Sequence, residues 1–242
     1  MDTIKIAKAQ TKIIAHRGLS GIECENSLPA FVAAANRSYY GIECDIHLTT
    51  DSKFVILHDS KTTRVSEIEV DVDNQAFDEF KDLLLKDPRK HDSVTRRDLV
   101  IPTLEEYLCI CKKYEKTAVI ELKTSVTGHL QSLLDTVDSI LGLENAVFIS
   151  FDFDNCVQVR KALPNQKVQF LCCEWKDELL EKLIKHNLDL DISYPALSKE
   201  LIDLLHQNGI EVNCWTTDTA ETAEKLMEWG VDYITTNILE QR

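Results

Sequence analysis

Short apolar runs alternate with stretches of helical period along most of the chain. Nine runs have strand character: Lys12–His16, Tyr40–Ile46, Phe54–His58, Ala118–Leu122, Ala146–Ser150, Val168–Cys172, Leu188–Ile192, Glu211–Trp215 and Tyr233–Thr236. They are rich in Ile, Val, Phe and Cys and in places apolar on consecutive residues, as in strands buried on both faces of a parallel sheet. The segments between them are mostly helical. Thr103-Leu104-Glu105-Glu106 opens one helix with an N-cap and a capping-box pattern. Gly230 closes another over Thr219–Trp229.

Nine strands are one too many for eight repeating βα units, and the surplus is identifiable. Between Ile46 and Phe54 lies only a polar turn, too short for the crossover that parallel neighbours need. Phe54–His58 therefore returns antiparallel to the strand before it. Removing it leaves eight units in order, which predicts an α/β fold of the TIM (β/α)8 barrel type over a single domain, residues 1–242. A doubly wound open sheet is the runner-up, but it usually has fewer strands and here lacks a Gly-rich phosphate turn. The segment 60–101, rich in Asp, Lys and Arg, reads as an insertion at the barrel mouth with one helix near Phe77–Lys86.

Charge narrows the partners. A formal net charge of −14 repels phosphate backbones, excluding nucleic acid, and disfavours stable association with anionic membranes. A phosphate-ester substrate would need positive charge supplied locally. No run approaches the ~20 apolar residues of a membrane span, and Met1–Gln10 lacks a signal-peptide core. The eight cysteines sit mostly inside apolar runs with no C-x-x-C pair, which points to reduced buried thiols and a cytoplasmic location.

Barrel sites form at the C-terminal ends of the strands. The first three ends read His16-Arg17-Gly18, Glu43-Cys44-Asp45 and Glu121-Leu122-Lys123. Glu43 and Asp45, two apart on a strand, project to one face. With Glu121 they make three converging carboxylates, which repel unless a cation sits among them. All-oxygen ligands favour Mg2+ or Ca2+ over zinc. If the hairpin turn is centred between Asp51 and Ser52, Asp45 lies directly opposite His58, with Cβ atoms ~5 Å apart on one face. His58 is then a credible acid or base beside the metal. His16 offers a second proton shuttle, Arg17 a fork that grips two phosphate oxygens, and Gly18 close backbone approach to a ligand.

These residues carry a resemblance. Ala15-His16-Arg17-Gly18, Glu25-Asn26-Ser27, Gly41-Ile42-Glu43-Cys44-Asp45 and Val55-Ile56-Leu57-His58-Asp59 resemble the glycerophosphodiester phosphodiesterase family. So do Ile101–Glu106, Ile120-Glu121-Leu122-Lys123, Asn213–Thr216 and Gly230–Thr236, so the likeness spans essentially the whole chain. It implies hydrolysis of a glycerophosphodiester to glycerol 3-phosphate and an alcohol, with a divalent cation on Glu43, Asp45 and Glu121. It implies acid and base roles shared by His16 and His58, phosphate held by Arg17 and Lys123, and a pocket lined by Trp215. In related barrels the substrate's own hydroxyl attacks first, giving a cyclic phosphate that water opens. The chain departs from the family pattern at Cys24, where Pro is usual, at Ser52, where Gly is usual after the turn's Asp, in the loop after His58-Asp59, and at Asn237, where Asp is frequent. A lysophospholipase D would need an apolar acyl groove, which 60–101 does not supply. A non-catalytic phosphate-ester binder would be expected to lack a histidine or a metal carboxylate, and none is lost.

Overall fold

The computed structural model describes residues 2–87 and 96–242. Its elements run β1 (Ile4–Ile6), β2 (Lys12–Ala15), α1 (Leu28–Ala35), β3 (Gly41–Leu48), β4 (Phe54–Ile56), α2 (Leu104–Lys113), β5 (Thr117–Leu122), α3 (Leu130–Ile140) and β6 (Ala146–Ser150). There follow α4 (Phe153–Ala162), β7 (Lys167–Cys172), α5 (Glu178–His186), β8 (Asp189–Ser193), α6 (Lys199–Gln207), β9 (Val212–Trp215), α7 (Ala220–Trp229), β10 (Tyr233–Thr236) and β11 (Leu239–Gln241). All nine expected strands form. The order β2-β10-β9-β8-β7-β6-β5-β3 closes through a β2–β3 pairing into a parallel eight-stranded barrel, and β4 hangs antiparallel on β3. No helix among the described residues is long and apolar enough to cross a membrane.

Burial on both faces explains the unbroken apolar runs. Inward-facing Ile14, Val119, Val147, Ile149, Leu171 and Tyr233 pack as one cluster inside the staves. Their outward neighbours join the helix-facing core, among them Ile42, Cys44, Ile120 and Phe148. Helix starts follow their caps. Ser27 accepts from Ala30 N at the head of α1, and Thr103 and Glu106 form the expected reciprocal box on α2. Gly230, at φ 90°, ends α7.

The hairpin register differs from expectation by one residue. Leu48 pairs with Phe54, His47 with Val55 and Ile46 with Ile56. Leu57 N then donates to Asp45 O at 3.1 Å, so Leu57 and not His58 stands opposite Asp45. The turn is longer than assumed. Thr49 N bonds Lys53 O, enclosing three residues with Ser52 left-handed at φ 62°. His58 therefore reaches the barrel mouth beyond the ladder, not as a cross-strand partner. Ser52→Gly is expected to stabilise the protein by about 0.5–1 kcal/mol, read as a raised urea midpoint at constant m, because glycine carries no left-handed penalty.

The expected helix near Phe77–Lys86 does not form. A 3₁₀ turn covers Phe77–Glu79, and Leu84 and Leu85 make isolated bridges to Val100 and Ser66. Leu83 and Leu85 both enter a separate apolar cluster with Val55, Leu57, Phe80 and Ile101, and a spacing of two shares a face only in extended backbone. Gly18 also serves differently from expectation. A Cβ there would lie 2.7 Å from the Ala30 backbone, so the glycine lets the strand end approach α1 rather than a ligand. Two strands were not foreseen, β1 and β11, which pair in parallel apart from the barrel. All eight cysteines are free thiols, five of them buried.

Candidate active site

The ends of β2, β3 and β5 bring their polar side chains to one mouth. Glu43, Asp45 and Glu121 are buried there, and each offers an oxygen within 4.8 Å of the others. Their neighbours treat them differently. Burial raises Glu43 well above the carboxylate range, and the charges of Asp45 and Glu121 add to it. Burial also acts against ionised Asp45, yet Arg17 and Lys123 outweigh it and hold this acid below its ordinary value. Glu121 is raised to about 7 by burial and by Asp45. Asp45 Oδ1 has no hydrogen-bond partner among the described residues, and Lys123 Nζ stands off at 3.6 Å. Hard oxygen donors and an orphaned, ionised carboxylate oxygen are the donor set a divalent cation fits.

Two cations flank the carboxylates. Arg17 lies just past β2 in the left-handed region, at φ 53°, and its backbone N–H donates to Glu43 Oε2 at 2.7 Å. Its guanidinium reaches Glu25 at 2.9 Å and Asp45 at 3.3 Å. Lys123 contacts Glu121 at 2.9 Å. Asn26, also left-handed, donates to Asp45 Oδ2 at 2.7 Å and steadies it.

Each histidine is oriented through Nδ1. Asn237 donates its amide to Asp218 at 2.6 Å, which turns its oxygen toward His16 Nδ1 at 2.8 Å. That tautomer leaves the His16 Nε2 lone pair free. Burial and Arg17 lower the pKa of His16. His58 Nδ1 meets the Asp59 carboxylate at 2.7 Å. Burial lowers its pKa too, although Asp45 and Asp59 oppose that. Arg64 then links the parts. Its Nε donates to Asp59 at 2.7 Å, and its two terminal nitrogens grip Glu25 at 2.8 Å each. A continuous polar chain thus runs from His58 through Asp59, Arg64 and Glu25 to Arg17.

His16, Arg17, Glu43, His58 and Glu121 line one cavity, together with Ile149, Phe151, Leu171, Asp191, Trp215 and Thr235. Trp215 meets Phe151 edge to face, with ring centroids 5.7 Å apart. Of the residues singled out from sequence, Asp45 and Lys123 sit behind this lining, in contact with it through Arg17 and Glu121. Sequence reasoning assigned no role to Asn26, Asp59, Arg64 or Asp191. Asn26 and Asp59 lay inside quoted motifs. Arg64 gave no local signal, because its partners are Glu25 and Asp59 across a fold. Asp191 had one faint sign, an acid two residues after Asp189 on a short strand.

The family profile described as "Glycerophosphoryl diester phosphodiesterase family" matches residues 16–241. A glycerophosphodiester phosphodiesterase of Caldanaerobacter subterraneus subsp. tengcongensis is 28% identical over 237 residues, covering 94% of each chain. The crystal structure of a glycerophosphodiester phosphodiesterase from Parabacteroides distasonis is 28% identical with a TM-score of 0.79, over 96% of this chain and 94% of that one. An Oleispira antarctica phosphodiesterase in complex with the product sn-glycerol-3-phosphate is 22% identical and superimposes with a TM-score of 0.85, over 93% and 92% of the two chains, which bears on the fold. Together with the closed barrel and the acidic mouth, the match over nearly its whole length places this chain in the glycerophosphoryl diester phosphodiesterase family.

Proposed function

We propose that this protein hydrolyses glycerophosphodiesters to glycerol 3-phosphate and an alcohol. The observation that carries the reading is the convergence of three buried carboxylates, two Nδ1-anchored histidines and two cations at one barrel mouth. Glu43, Asp45 and Glu121 would hold Mg2+ or Ca2+, which when bound supplies Lewis-acid polarisation of a phosphoryl oxygen and a lowered pKa at the attacking oxygen. Arg17 and Lys123 bind the phosphate, Arg17 through its planar fork. His16 Nε2 takes the proton of the attacking hydroxyl or water. His58, backed by a carboxylate that favours the imidazolium, gives a proton to the leaving oxygen. Trp215 and Phe151 wall the pocket. The 242 residues act as one unit in this reading, with a cytoplasmic site of action and with 60–101, of which 88–95 lie outside the described residues, shaping the mouth.

The test is a release assay over a panel of glycerophosphodiesters with choline, ethanolamine, glycerol and inositol head groups. Glycerol 3-phosphate should appear stoichiometrically with the alcohol. No release from any member with Mg2+ or Ca2+ present would sink the reading.

Arg64 provides a finer test. It touches neither carboxylate cluster nor cavity lining, yet it fastens Asp59 and Glu25, which fasten His58 and Arg17. Arg64→Ala should lower kcat by about 10- to 100-fold through misplacement alone. At 46% exposed, its loss should leave cooperative melting intact. Arg64→Lys should fail to rescue, since one ammonium cannot bridge both acids. Wild-type kcat in either variant would show that the chain of contacts is idle.

A further inference from the structure

We infer that His47 is a positioning residue for His58: its buried imidazole, fixed by Asp73, holds the His58 main chain past the end of the β3–β4 ladder. This rests on the phosphodiesterase reading, in which His58 protonates the leaving oxygen, and adds a residue to that machinery.

The ladder pairs β4 with β3 only as far as Ile56, and its last bond runs from Leu57 N to Asp45 O at 3.1 Å. One residue further, a proton donor must be held in place with no strand beside it. His47 supplies the missing rung. It follows Glu43 and Asp45 at a spacing of two on β3, so its side chain projects to their face. Pairing of β5 with β3 stops at Ile46, which leaves His47 beyond the neighbouring stave. Its Nε2 lies 3.2 Å from the carbonyl oxygen of His58, and its Nδ1 2.8 Å from Asp73 Oδ1. Both oxygens are acceptors, so the ring faces them as a donor. Among the described residues no other group bonds that carbonyl. His47 is 4% exposed, so water does not replace the contact cheaply.

Asp73 is itself held. It lies in the 3₁₀ turn Val72–Asn74, whose buried first residue donates its N–H to Ser60 O at 2.9 Å. Just beyond, Gln75 O accepts from Thr50 N at 3.1 Å, and Phe77 N donates to Asp51 Oδ1 at 3.0 Å. The turn is thus fastened to the hairpin on one side and to the residue two after His58 on the other. An imidazole clamped at one nitrogen presents its other nitrogen in one place. His58 is accordingly gripped twice, its ring by Asp59 and its main chain by His47. The two holds are separate, since Arg64 secures Asp59 and Asp73 secures His47. Misplacing a catalytic group by ~1 Å can cost about 10²-fold in rate, so the hold on the main chain reaches the chemistry as well as the fold.

The experiment sets two amide substitutions against each other. In His47→Gln the amide nitrogen falls near the place of Nε2 and keeps the bond to His58. In His47→Asn it falls near the place of Nδ1 and stops short of the carbonyl. With sn-glycero-3-phosphocholine at saturating Mg2+, His47→Asn should lower kcat by about 10- to 100-fold and leave KM within about twofold. His47→Gln should keep kcat within about fivefold of wild type. On the p-nitrophenyl ester of sn-glycerol 3-phosphate, whose leaving oxygen needs no proton, the His47→Asn defect should shrink to about threefold or less. Added to His58→Ala, His47→Asn should cost no more than about threefold beyond that variant alone. Wild-type kcat in His47→Asn, equal loss on both esters, or full multiplication of the two effects overturns the inference while hydrolysis stands. Should neither ester be cleaved, the hydrolysis reading fails, and proton–carbon spectra of histidine-labelled protein still decide this one. His47→Asn should shift or broaden the His58 ring signal, identified by its loss in His58→Ala, and leave the His16 signal, identified likewise, in place. An unmoved His58 signal refutes the positioning role. If His47→Asn does not fold, Asp73→Ala, which keeps the imidazole in the chain, takes its place in every arm with the same outcomes deciding.

Discussion

Exhaustive chelation should abolish phosphodiester hydrolysis by this protein, and Mg2+ or Ca2+ should restore it. Three buried carboxylates within 4.8 Å of one another cannot all ionise without a cation between them, and Glu121 is already raised to about 7. The same crowding predicts an unusual stability effect. Glu121 ionises near an ordinary 4.5 in the unfolded chain and near 7 when folded without metal. As pH rises through that window the unfolded state sheds its proton first, so the metal-free fold loses stability, by up to about 3 kcal/mol at neutral pH. Glu121→Gln should remove that loss. It should be inactive, melt about 1–3 kcal/mol more stably than wild type in EDTA at pH 7, and gain little further from added Mg2+. Glu43→Ala should be inactive as well while still melting cooperatively. Full activity after chelation, or a Glu121→Gln protein that is less stable than wild type in EDTA, would remove the metal from the mouth.

His16→Ala and His58→Ala should each reduce turnover by 10²–10⁴-fold, the usual contribution of a positioned acid or base. Their backing differs, and so should their response to the leaving group. His58 is paired with the Asp59 carboxylate, whereas His16 leans on the neutral Asn237 amide. A proton donor matters less when the departing oxygen needs no proton. The His58→Ala defect should therefore shrink on a p-nitrophenyl ester and stay large on choline, while the His16→Ala defect should be similar on both. The double variant should fall short of the product of the single effects, because one bond cleavage uses both groups. Equal leaving-group dependence in the two single variants would erase the division of labour between them.

Much of the barrel was legible because its information is local. Strand after strand carried its own buried run, and the hairpin followed from a length too short for a crossover. Glu43, Asp45 and Glu121 were legible because alternation along a strand fixes which face a side chain meets. What stayed hidden depends on residues distant in sequence. β1 and β11 are three-residue strands that exist only through each other. The His58 register turned on one extra turn residue, which Ser52 accommodates by adopting a backbone conformation its type disfavours. Arg64 and Asn237 are ordinary polar residues until the fold sets them behind a histidine. Asp191 is one of two acids two apart on its strand, and nothing local shows that it is the one the barrel buries.

The apolar cluster that joins Val55 and Leu57 of the hairpin to Val65, Val70, Phe80, Leu85 and Ile101 is separate from the two layers of the barrel. Val65 belongs to it, next in sequence to the arginine that secures Asp59 and Glu25. Such a patch is a natural unit of sub-global opening, with a free energy below that of the whole fold. Warming should loosen it while the staves remain paired. Amides across Val65–Leu85 would then exchange with solvent ahead of those in β5 and β6, and catalysis would fade reversibly at temperatures where the circular dichroism of the barrel is unchanged.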